Sequence, residues 1–249
     1  RLRDLIPQNN KRAYNVRTVI KALADTDSFL ELRPKFGAGM ITGFIRIEGR
    51  PFGLIANNCL HMAGAIEAEG ADKAARLMQL CQAHGLPVIS LCDTPGFMVG
   101  PDIEKRAQVR HVCRMFVVGS HLTVPYFTVV LRRGYGLGAM AMARGGFHES
   151  FFTASWPTGE FGAMGIEGAI KAGFKKELAA IEDSGERAKL YNDLVAQLYQ
   201  RGKAVNIASY LEIDSVIDPA DTRRWIMRGI QSVPARTFEA TCHAFVDPW

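Results

Sequence analysis

A glycine-rich turn is the stretch of this sequence whose residue types and spacing point most directly to chemistry. Gly134, Gly136 and Gly138 lie between an apolar, β-branched segment (126–131) and a run of helix formers (139–143). This order predicts a strand, a tight turn and a buried helix. The first amides of a helix have no partner within it and lie at the positive end of its dipole. The turn is therefore predicted to present bare N–H groups to an oxyanion, unless its glycines serve only to pack it tightly against a neighbouring helix.

Side chains offer weaker candidates for catalysis. Asp93 follows an apolar segment and is either a general base or a turn former, and Glu160 and Glu167 are similar candidates near a further glycine turn. The sequence contains no Cys-x-x-Cys, His-Glu-x-x-His or Gly-x-Ser-x-Gly motif, so it supports neither a metal site nor a serine nucleophile elbow. Residues 136–141 fit the Gly-x-Gly-x-x-Ala dinucleotide pattern, but no acidic residue ends the next predicted strand. A site built from backbone amides remains, with the base supplied by a substrate or cofactor.

Alternating strands and helices are predicted to position these residues. The predicted strands are 40–47 and 52–56 (a hairpin), 88–92, 126–131, 150–154 and 211–217. Three of the predicted helices have clear ranges, 71–84, 190–200 and 220–231. A short helix is predicted after its cap Asn15, and another runs from the 162–165 turn through about Leu178. A sixth helix carries on its apolar face Val109, Val112, Cys113, Phe116 and Val117. Residues 93–97 are expected to be a turn, and residues 179–189 a charged loop. The pattern indicates an α/β fold with mostly parallel strands, in which glycine turns near 96, 136 and 159–165 supply one site at the carboxyl ends of the strands.

Composition sets broad limits on the class of protein. The 249 residues are 48% hydrophobic and carry a formal charge of +5, with both signs interspersed, which argues against nucleic-acid binding. No apolar stretch approaches a membrane span in length, and no signal peptide is visible. Cys81, Cys92 and Cys113 lie in apolar segments and are predicted to be reduced core residues of an intracellular protein.

Four motifs in a fixed order carry a resemblance to a known family. They are Asp-Thr-Pro-Gly-Phe-Met-Val-Gly (93–100), Tyr-Gly-Leu-Gly (135–138), Trp-Pro-Thr (156–158) and Gly-Ala-Met-Gly (162–165). Together they resemble the C-terminal half of the carboxyltransferase (β) component of biotin-dependent acyl-CoA carboxylases, such as the β subunits of propionyl-CoA and methylcrotonyl-CoA carboxylase. The resemblance extends from about Leu5 to Val233.

The resemblance implies a fold and a reaction. The fold would be crotonase-like (ClpP/crotonase), a superhelix of ββα units. The reaction would transfer CO2 from carboxybiotin, held on a biotin carboxyl carrier, to the α-carbon of an acyl-CoA, while a partner biotin carboxylase uses ATP and bicarbonate. In that family the N-terminal half mainly holds CoA and the C-terminal half biotin, with the active site between halves of different subunits. The chain is therefore predicted to act only with an N-terminal carboxyltransferase half, in a homo-oligomer that is dimer-based and possibly a hexamer.

The resemblance also assigns site residues. The amides of Leu137 and Gly138 would stabilise the ureido oxygen of biotin, or those of Gly138 and Ala139 if the register shifts by one residue. The cofactor-binding residues would be Gly96, Phe97, Gly100, Gly136, Met140, Ala163, Met164 and Gly165. Met140 stands where some propionyl-type relatives carry an acid, so the acyl chain is predicted to be longer or more apolar than acetyl. No metal, nucleic-acid or membrane site is expected.

The domain prediction has three parts. Residues 1–13 are polar and basic and are expected to be a linker or docking arm outside the core, 14–233 the carboxyltransferase domain, and 234–249 a tail. The alternatives are a non-catalytic assembly module of a carboxylase, a biotin-dependent acyl-CoA decarboxylase, and a crotonase-type enzyme with Glu160 or Glu167 over the acyl α-carbon. The expected location is the cytoplasm, or the mitochondrial matrix in a eukaryote.

Overall fold

A single mixed sheet is the centre of the computed structural model, which describes residues 2–7, 9 and 12–234. Within this part of the chain the strands are β1 Leu30–Leu32, β2 Met40–Ile47, β3 Arg50–Asn57, β4 Val88–Thr94, β5 Tyr126–Tyr135, β6 Phe152–Ser155, β7 Glu160–Gly162 and β8 Ser215–Val216. They lie in the order β1-β2-β3-β4-β5-β6-β8, and β7 pairs with the end of β5. The β1–β2 and β2–β3 pairs are antiparallel and the other pairs are parallel. The predicted α/β fold with mostly parallel strands is confirmed.

Helices cover both faces of this sheet. Within the described residues they are α1 Val16–Leu23, α2 Ala68–Ala83, α3 Pro101–Glu104, α4 Gln108–His121, α5 Gly136–Met142, α6 Ile166–Gly173, α7 Lys175–Ala179, α8 Ser184–Arg201, α9 Ala204–Ser209 and α10 Thr222–Ser232. The order β2–β3–α2 and the order β6–β7–α6 each form a ββα unit, as the resemblance implied.

The alternation of side chains along the strands separates two hydrophobic cores. In β5, Phe127 and Val129 point into one core, together with α1 and α10. Tyr126 and Val130 point into the other, where α2, α4 and α5 pack. Because β5 is buried on both faces, its sequence is a nearly continuous apolar run, as is usual for a central parallel strand.

Several predicted elements are confirmed with changed ends. The hairpin is formed by β2 and β3 and closes with Ile47 opposite Arg50. The Asn15 side chain accepts a hydrogen bond from the amide of Arg17 and caps α1. The predicted 71–84 helix is α2, which begins three residues earlier, at Ala68. The helix predicted through Leu178 is divided into α6 and α7, with Phe174 between them.

The helix around residue 112 exists, but only part of its predicted apolar face is buried. Val109, Cys113 and Val117 are exposed. The buried stripe of α4 keeps Val112 from the predicted face and adds Met115, while Phe116 is half-buried against the second core. Two apolar stripes overlap on this helix, and periodicity alone does not say which of them packs against the sheet. The prediction that Cys113 is a core residue is therefore also wrong, whereas Cys59, Cys81 and Cys92 are free and buried. Cys242 lies outside the described residues.

Three segments differ from the sequence-based expectations. Leu2 and Ile6 are buried in the first core, so the segment predicted to lie outside the core contributes to it. Their apolar side chains belong to the same core as residues of α1 and α10, which no local pattern shows. The expected 179–189 loop ends early, because Asp183 caps the start of α8 and residues from Ser184 onward are helical. The predicted strand 211–217 is reduced to β8, and α9 precedes it. Most of the predicted tail, from residue 235, lies outside the described residues.

Candidate functional site

The glycine-rich turn joins β5 to α5, as predicted, at the carboxyl end of a parallel strand. Tyr135 keeps an extended backbone, and Gly136 begins α5 with a φ of +58°. An L side chain is strained in that left-handed conformation, so glycine suits it. Leu137 is 62% exposed, whereas Gly138 and Ala139 are buried. The turn therefore faces solvent at position 137 and packs on the protein at the two following positions.

Three turns meet at this edge of the sheet. A Cβ atom at Gly138 would lie 2.7 Å from the carbonyl carbon of Gly96 and 3.0 Å from the amide nitrogen of Phe97. A Cβ atom at Gly136 would lie 2.8 Å from the carbonyl oxygen of Ala163. Backbones approach this closely only where no side chain intervenes. The 96–97 turn, the 136–138 turn and the 163 turn are thus in direct contact, as the strand order predicted.

The other sequence-predicted site residues lie more openly on the same turns. Gly100 has a φ of +128°, and a Cβ atom there or at Gly165 would have no other atom within 4 Å. Met164 is exposed, and Met140 is half-buried in α5. Tight packing therefore explains the glycines at positions 136 and 138, and the positive φ explains Gly100, whereas neither explains Gly165.

Asp93 is buried in an ion cluster and does not face the site as a free base. It is the penultimate residue of β4, so the predicted turn begins only after Thr94. Its Oδ2 accepts hydrogen bonds from Arg132 Nε (3.0 Å) and Cys59 Sγ (3.2 Å), and its Oδ1 accepts from Arg133 Nε (2.6 Å) and the Arg133 amide (3.2 Å). Two donors thus bind each oxygen. Neither the general base nor the turn former describes this residue, which we call, with its three partners, the Asp93 cluster.

No sequence motif pointed to the two arginines of the Asp93 cluster. Arg132 and Arg133 are consecutive in an otherwise apolar strand, directly before the glycine turn. Charged residues are rarely buried unless they are paired. This is the signal that could have drawn attention to them, although their common partner, 39 positions away from Arg132, is visible only in the fold. Burial raises the pKa of the Cys59 thiol to about 12, so Cys59 stays protonated and donates to Asp93.

The two glutamates considered as crotonase-type bases are held by tyrosines. Tyr135 donates from its hydroxyl to Glu160 (3.1 Å), and Tyr199 of α8 donates to Glu167 (3.2 Å). Burial, and then the negative charge of Glu160, raise the pKa of the Tyr135 phenol. Tyr135 thereby joins β7 to the end of β5, and Tyr199 joins α8 to α6.

The part of the chain that the structure describes meets neither the requirements of a metal site nor those of a membrane-spanning helix. No group of three or more His, Cys, Asp or Glu residues in it is placed to hold a metal ion. Among its helices, none is both long and apolar enough to cross a bilayer.

Comparisons with known proteins give the family of this chain. The family model described as the carboxyl transferase domain matches residues 1–242. The methylmalonyl-CoA carboxyltransferase 12S subunit of Propionibacterium freudenreichii subsp. shermanii is 35% identical over 234 residues, which are 92% of this chain and 43% of that protein. The biotin-dependent acetyl-/propionyl-coenzyme A carboxylase beta6 subunit of Mycobacterium tuberculosis is 35% identical over 93% of this chain and 49% of its own length.

Solved structures give the same result. A single-chain, multi-domain long-chain acyl-CoA carboxylase is 54% identical, with a TM-score of 0.83 over 91% of this chain and 22% of that one. The hexameric transcarboxylase 12S structure is 32% identical, with a TM-score of 0.85 over 96% of this chain and 46% of that one. The chain thus spans about half the length, or less, of the relatives it matches. It has their crotonase-like fold, and it belongs to the carboxyl transferase domain family.

Proposed function

We propose that this chain is the biotin-side half of a carboxyltransferase, which transfers CO2 from carboxybiotin on a carrier domain to the α-carbon of an acyl-CoA. Its partners in this reaction are an N-terminal carboxyltransferase half, which holds the CoA, and a biotin carboxylase that uses ATP and bicarbonate to charge the carrier. The assembly is a homo-oligomer, as the hexamer assembly described for transcarboxylase 12S suggests. A location in the cytoplasm, or in the mitochondrial matrix of a eukaryote, stays a prediction from the sequence.

The contact among the three glycine turns is the observation that carries this proposal. It places the backbone of residues 136–138 against Gly96 and Ala163 at one edge of the sheet. The first amides of α5 have no acceptor one turn earlier within the helix, so they are available to a negatively charged oxygen. Two such donors, Leu137 and Gly138 or Gly138 and Ala139, form the oxyanion hole. Each donor of this kind typically contributes a factor of about 10²–10³ in rate.

The residues around the turns suit a biotin ring. That ring has a polar ureido edge and an apolar body, and ligand sites of this kind combine a few placed polar groups with apolar walls. Here the amides supply the polar groups, while Leu137, Phe97 and Met164 offer exposed or half-buried apolar side chains. The absence of a Cβ at Gly100 and Gly165 leaves space on the same turns. When bound, carboxylated biotin supplies the CO2, and this chain orients it and stabilises negative charge on the ureido oxygen.

We further propose that the acyl chain is long. Met140 presents a flexible apolar side chain at a half-buried position of α5, next to the proposed amides. Two structural neighbours are named for long or branched apolar acyl groups, the long-chain acyl-CoA carboxylase at 54% identity and a geranyl-CoA carboxylase from P. aeruginosa at 30%. An apolar residue at position 140 is consistent with such a substrate.

The competing functions are less well supported. A crotonase-type mechanism needs a glutamate free to face the acyl α-carbon, whereas Glu160 and Glu167 are each bonded to a tyrosine. A pure assembly module has no need of the open glycine at position 165, where neither packing nor a positive φ calls for glycine. A biotin-dependent acyl-CoA decarboxylase would use the same amides, so only an assay separates it from the carboxylase.

A pair of variants at Leu137 tests the amide mechanism. Leu137→Pro deletes one amide at an exposed position in the first turn of a helix, where proline is tolerated. The preceding residue is Gly136, which has no Cβ to clash with the proline ring. Leu137→Ala removes the side chain and keeps the amide, so it is the matched control. Proline at Gly138 would be a poorer test, because added atoms there meet the Gly96 backbone.

The measurement is carboxylation of a panel of acyl-CoAs by the intact native assembly with biotinylated carrier, ATP and bicarbonate. If the Leu137 amide is a donor, Leu137→Pro lowers kcat by about 100-fold and Leu137→Ala by less than about threefold. Equal activity of both variants places the donors at Gly138 and Ala139. A charged carrier with no carboxylation of any acyl-CoA in the panel contradicts the proposed function, and a strong preference for acetyl-CoA contradicts the long-chain substrate.

A further inference from the structure

Two charged residues stand at equivalent distances before the two glycine turns that touch. Asp93 lies three residues before Gly96, and Arg133 lies three residues before Gly136. Both glycines have a positive φ, +119° and +58°, so each turn departs sharply from its strand. The carboxylate and the guanidinium meet at 2.6 Å. The ends of β4 and β5 are therefore joined by an ion pair directly behind the turns.

Arg133 also binds a third segment of the site's edge. Its Nη2 donates to the carbonyl oxygen of Ala63 (2.7 Å) and lies 3.6 Å from Cys59 Sγ. Met62 and Ala63 have φ values of 44° and 53°, which non-glycine residues seldom adopt. Strained backbone of this kind persists only where surrounding contacts hold it. A single guanidinium thus connects β4, β5 and the strained segment after β3.

An irregularity in the β4–β5 ladder makes this arrangement possible. Cys92 pairs with Val130, but Thr94 pairs with Gly134, so β5 uses two more residues than β4 over the same interval. Consecutive side chains of a regular strand point to opposite faces of the sheet. Here both Arg132 and Arg133 reach the Asp93 carboxylate. Bulges of this kind re-aim side chains next to active sites, and this one sets the position from which the glycine turn departs.

The two arginines differ in what else they bind. Arg132 is 3% exposed, lies over the Tyr14 ring and donates to the Arg12 carbonyl oxygen, on the side of the N-terminal segment. Arg133 is 14% exposed and points to the site's edge. The two residues therefore share Asp93 as a partner, and only Arg133 contacts the segment beside the turns.

We infer that Arg133 is a positioning residue for the proposed amide site, which holds the Gly96 turn, the Gly136–Gly138 turn and the 59–64 segment in a fixed relation through Asp93 and the Ala63 carbonyl. This inference rests on the proposed function. The positioning role requires the planar guanidinium of arginine, because the ammonium of lysine is a point charge that cannot make several contacts in fixed directions at once.

Two charge-preserving variants of the intact native assembly, Arg133→Lys and Arg132→Lys, test it. Misplacement by about 1 Å is enough to lower a rate by about 100-fold. Arg133→Lys is expected to lower kcat by about 30- to 100-fold with the KM for acyl-CoA unchanged within about twofold, since this inference leaves the CoA-holding half intact. Arg132→Lys is expected to lower kcat by at most about threefold. It is expected to lower the melting temperature at least as much as Arg133→Lys does, because Arg132 is more deeply buried.

Hydrogen exchange of the same assemblies gives a readout that needs no activity. Arg133→Lys is expected to speed exchange in peptides covering 59–66 and 134–140, and Arg132→Lys in those covering 12–16. The inference is overturned if the loss of kcat follows the loss of melting temperature in both variants, or if exchange at 134–140 is unchanged by Arg133→Lys. If the wild-type assembly carboxylates nothing, the proposed function fails, and the exchange data still decide whether Arg133 holds the turns.

Discussion

The two ends of the central sheet use the same ionic chemistry in different environments. At the carboxyl end, Asp93 is fully buried and binds two arginines that are 3% and 14% exposed. At the opposite end, the Asp25 side chain is 26% exposed and binds Arg223 and the amides of the β2–β3 turn. The first arrangement fixes the proposed site, whereas the second closes a hairpin. Because water screens the exposed pair and not the buried one, equal contacts carry unequal energies.

The largest loss of stability is expected when the buried ion cluster is broken at Arg132. Arg132→Met keeps the volume of the side chain, but it removes one of the two cations that neutralise a buried carboxylate. Loss of one partner of a buried pair typically costs about 3–5 kcal/mol. Denaturant unfolding of the native assembly measures the loss, with Asp25→Asn as the variant from the other end of the sheet. A smaller loss for Arg132→Met than for Asp25→Asn would contradict the contrast drawn between the two ends.

An intermediate effect is expected from a single methyl group where the turns touch. In Gly138→Ala the new Cβ would lie 2.7 and 2.8 Å from backbone atoms of Gly96, which cannot move as a side-chain tip can. Overpacking of this kind costs about 1–3 kcal/mol, and we expect it to lower carboxylation by separating the two turns.

The matched control is Gly168→Ala in α6, where a Cβ meets no other atom within 4 Å. That change is expected to be neutral or slightly stabilising, since alanine is a better helix former than glycine. Equal unfolding free energies for the two variants would show that the turns are not packed as closely as their backbones indicate.

The smallest effect is expected at the exposed end. Hydrogen bonds from the Gly49 amide and then from Arg223 lower the pKa of Asp25. A carboxylate whose pKa is lowered by folding stabilises the fold at a pH above its pKa in the unfolded chain, about 4. This contribution is lost as the pH falls through the pKa of the group in the folded protein. Asp25→Asn should therefore cost less than about 1 kcal/mol at pH 7. The difference from wild type should shrink between about pH 5 and pH 3, which unfolding curves across this range measure. A difference that grows in acid would contradict the assignment.

The confirmed sequence-based predictions rest on local signals. A β-branched run followed by Gly136 and Gly138 predicted a strand, a turn and a helix, because backbone conformation at these positions is limited by the residue types themselves. The apolar period of α2 and the Asn15 cap are equally local. The order of glycine turns after parallel strands predicted a shared edge, because carboxyl ends of such strands meet there.

The errors and omissions have a different cause. Which stripe of α4 is buried depends on the surface it meets, and Val109 and Val112 are equally apolar in the sequence. Leu2 is buried although its sequence neighbours are polar, because it joins a core that includes residues of α10, far along the chain. These outcomes depend on contacts between distant residues, which no local pattern carries.

The sequence by itself determined the alternation of strands and helices, the position of the glycine turns and the ordered motifs of a carboxyl transferase domain. Only the tertiary structure decided the role of Asp93, because its meaning comes from Arg132 and Arg133, which the β4–β5 pairing and its bulge bring to one carboxylate. In the sequence, an aspartate in an exposed turn and an aspartate in a buried ion cluster look the same. The physical difference is the loss of water around the charge, which only the packed chain produces.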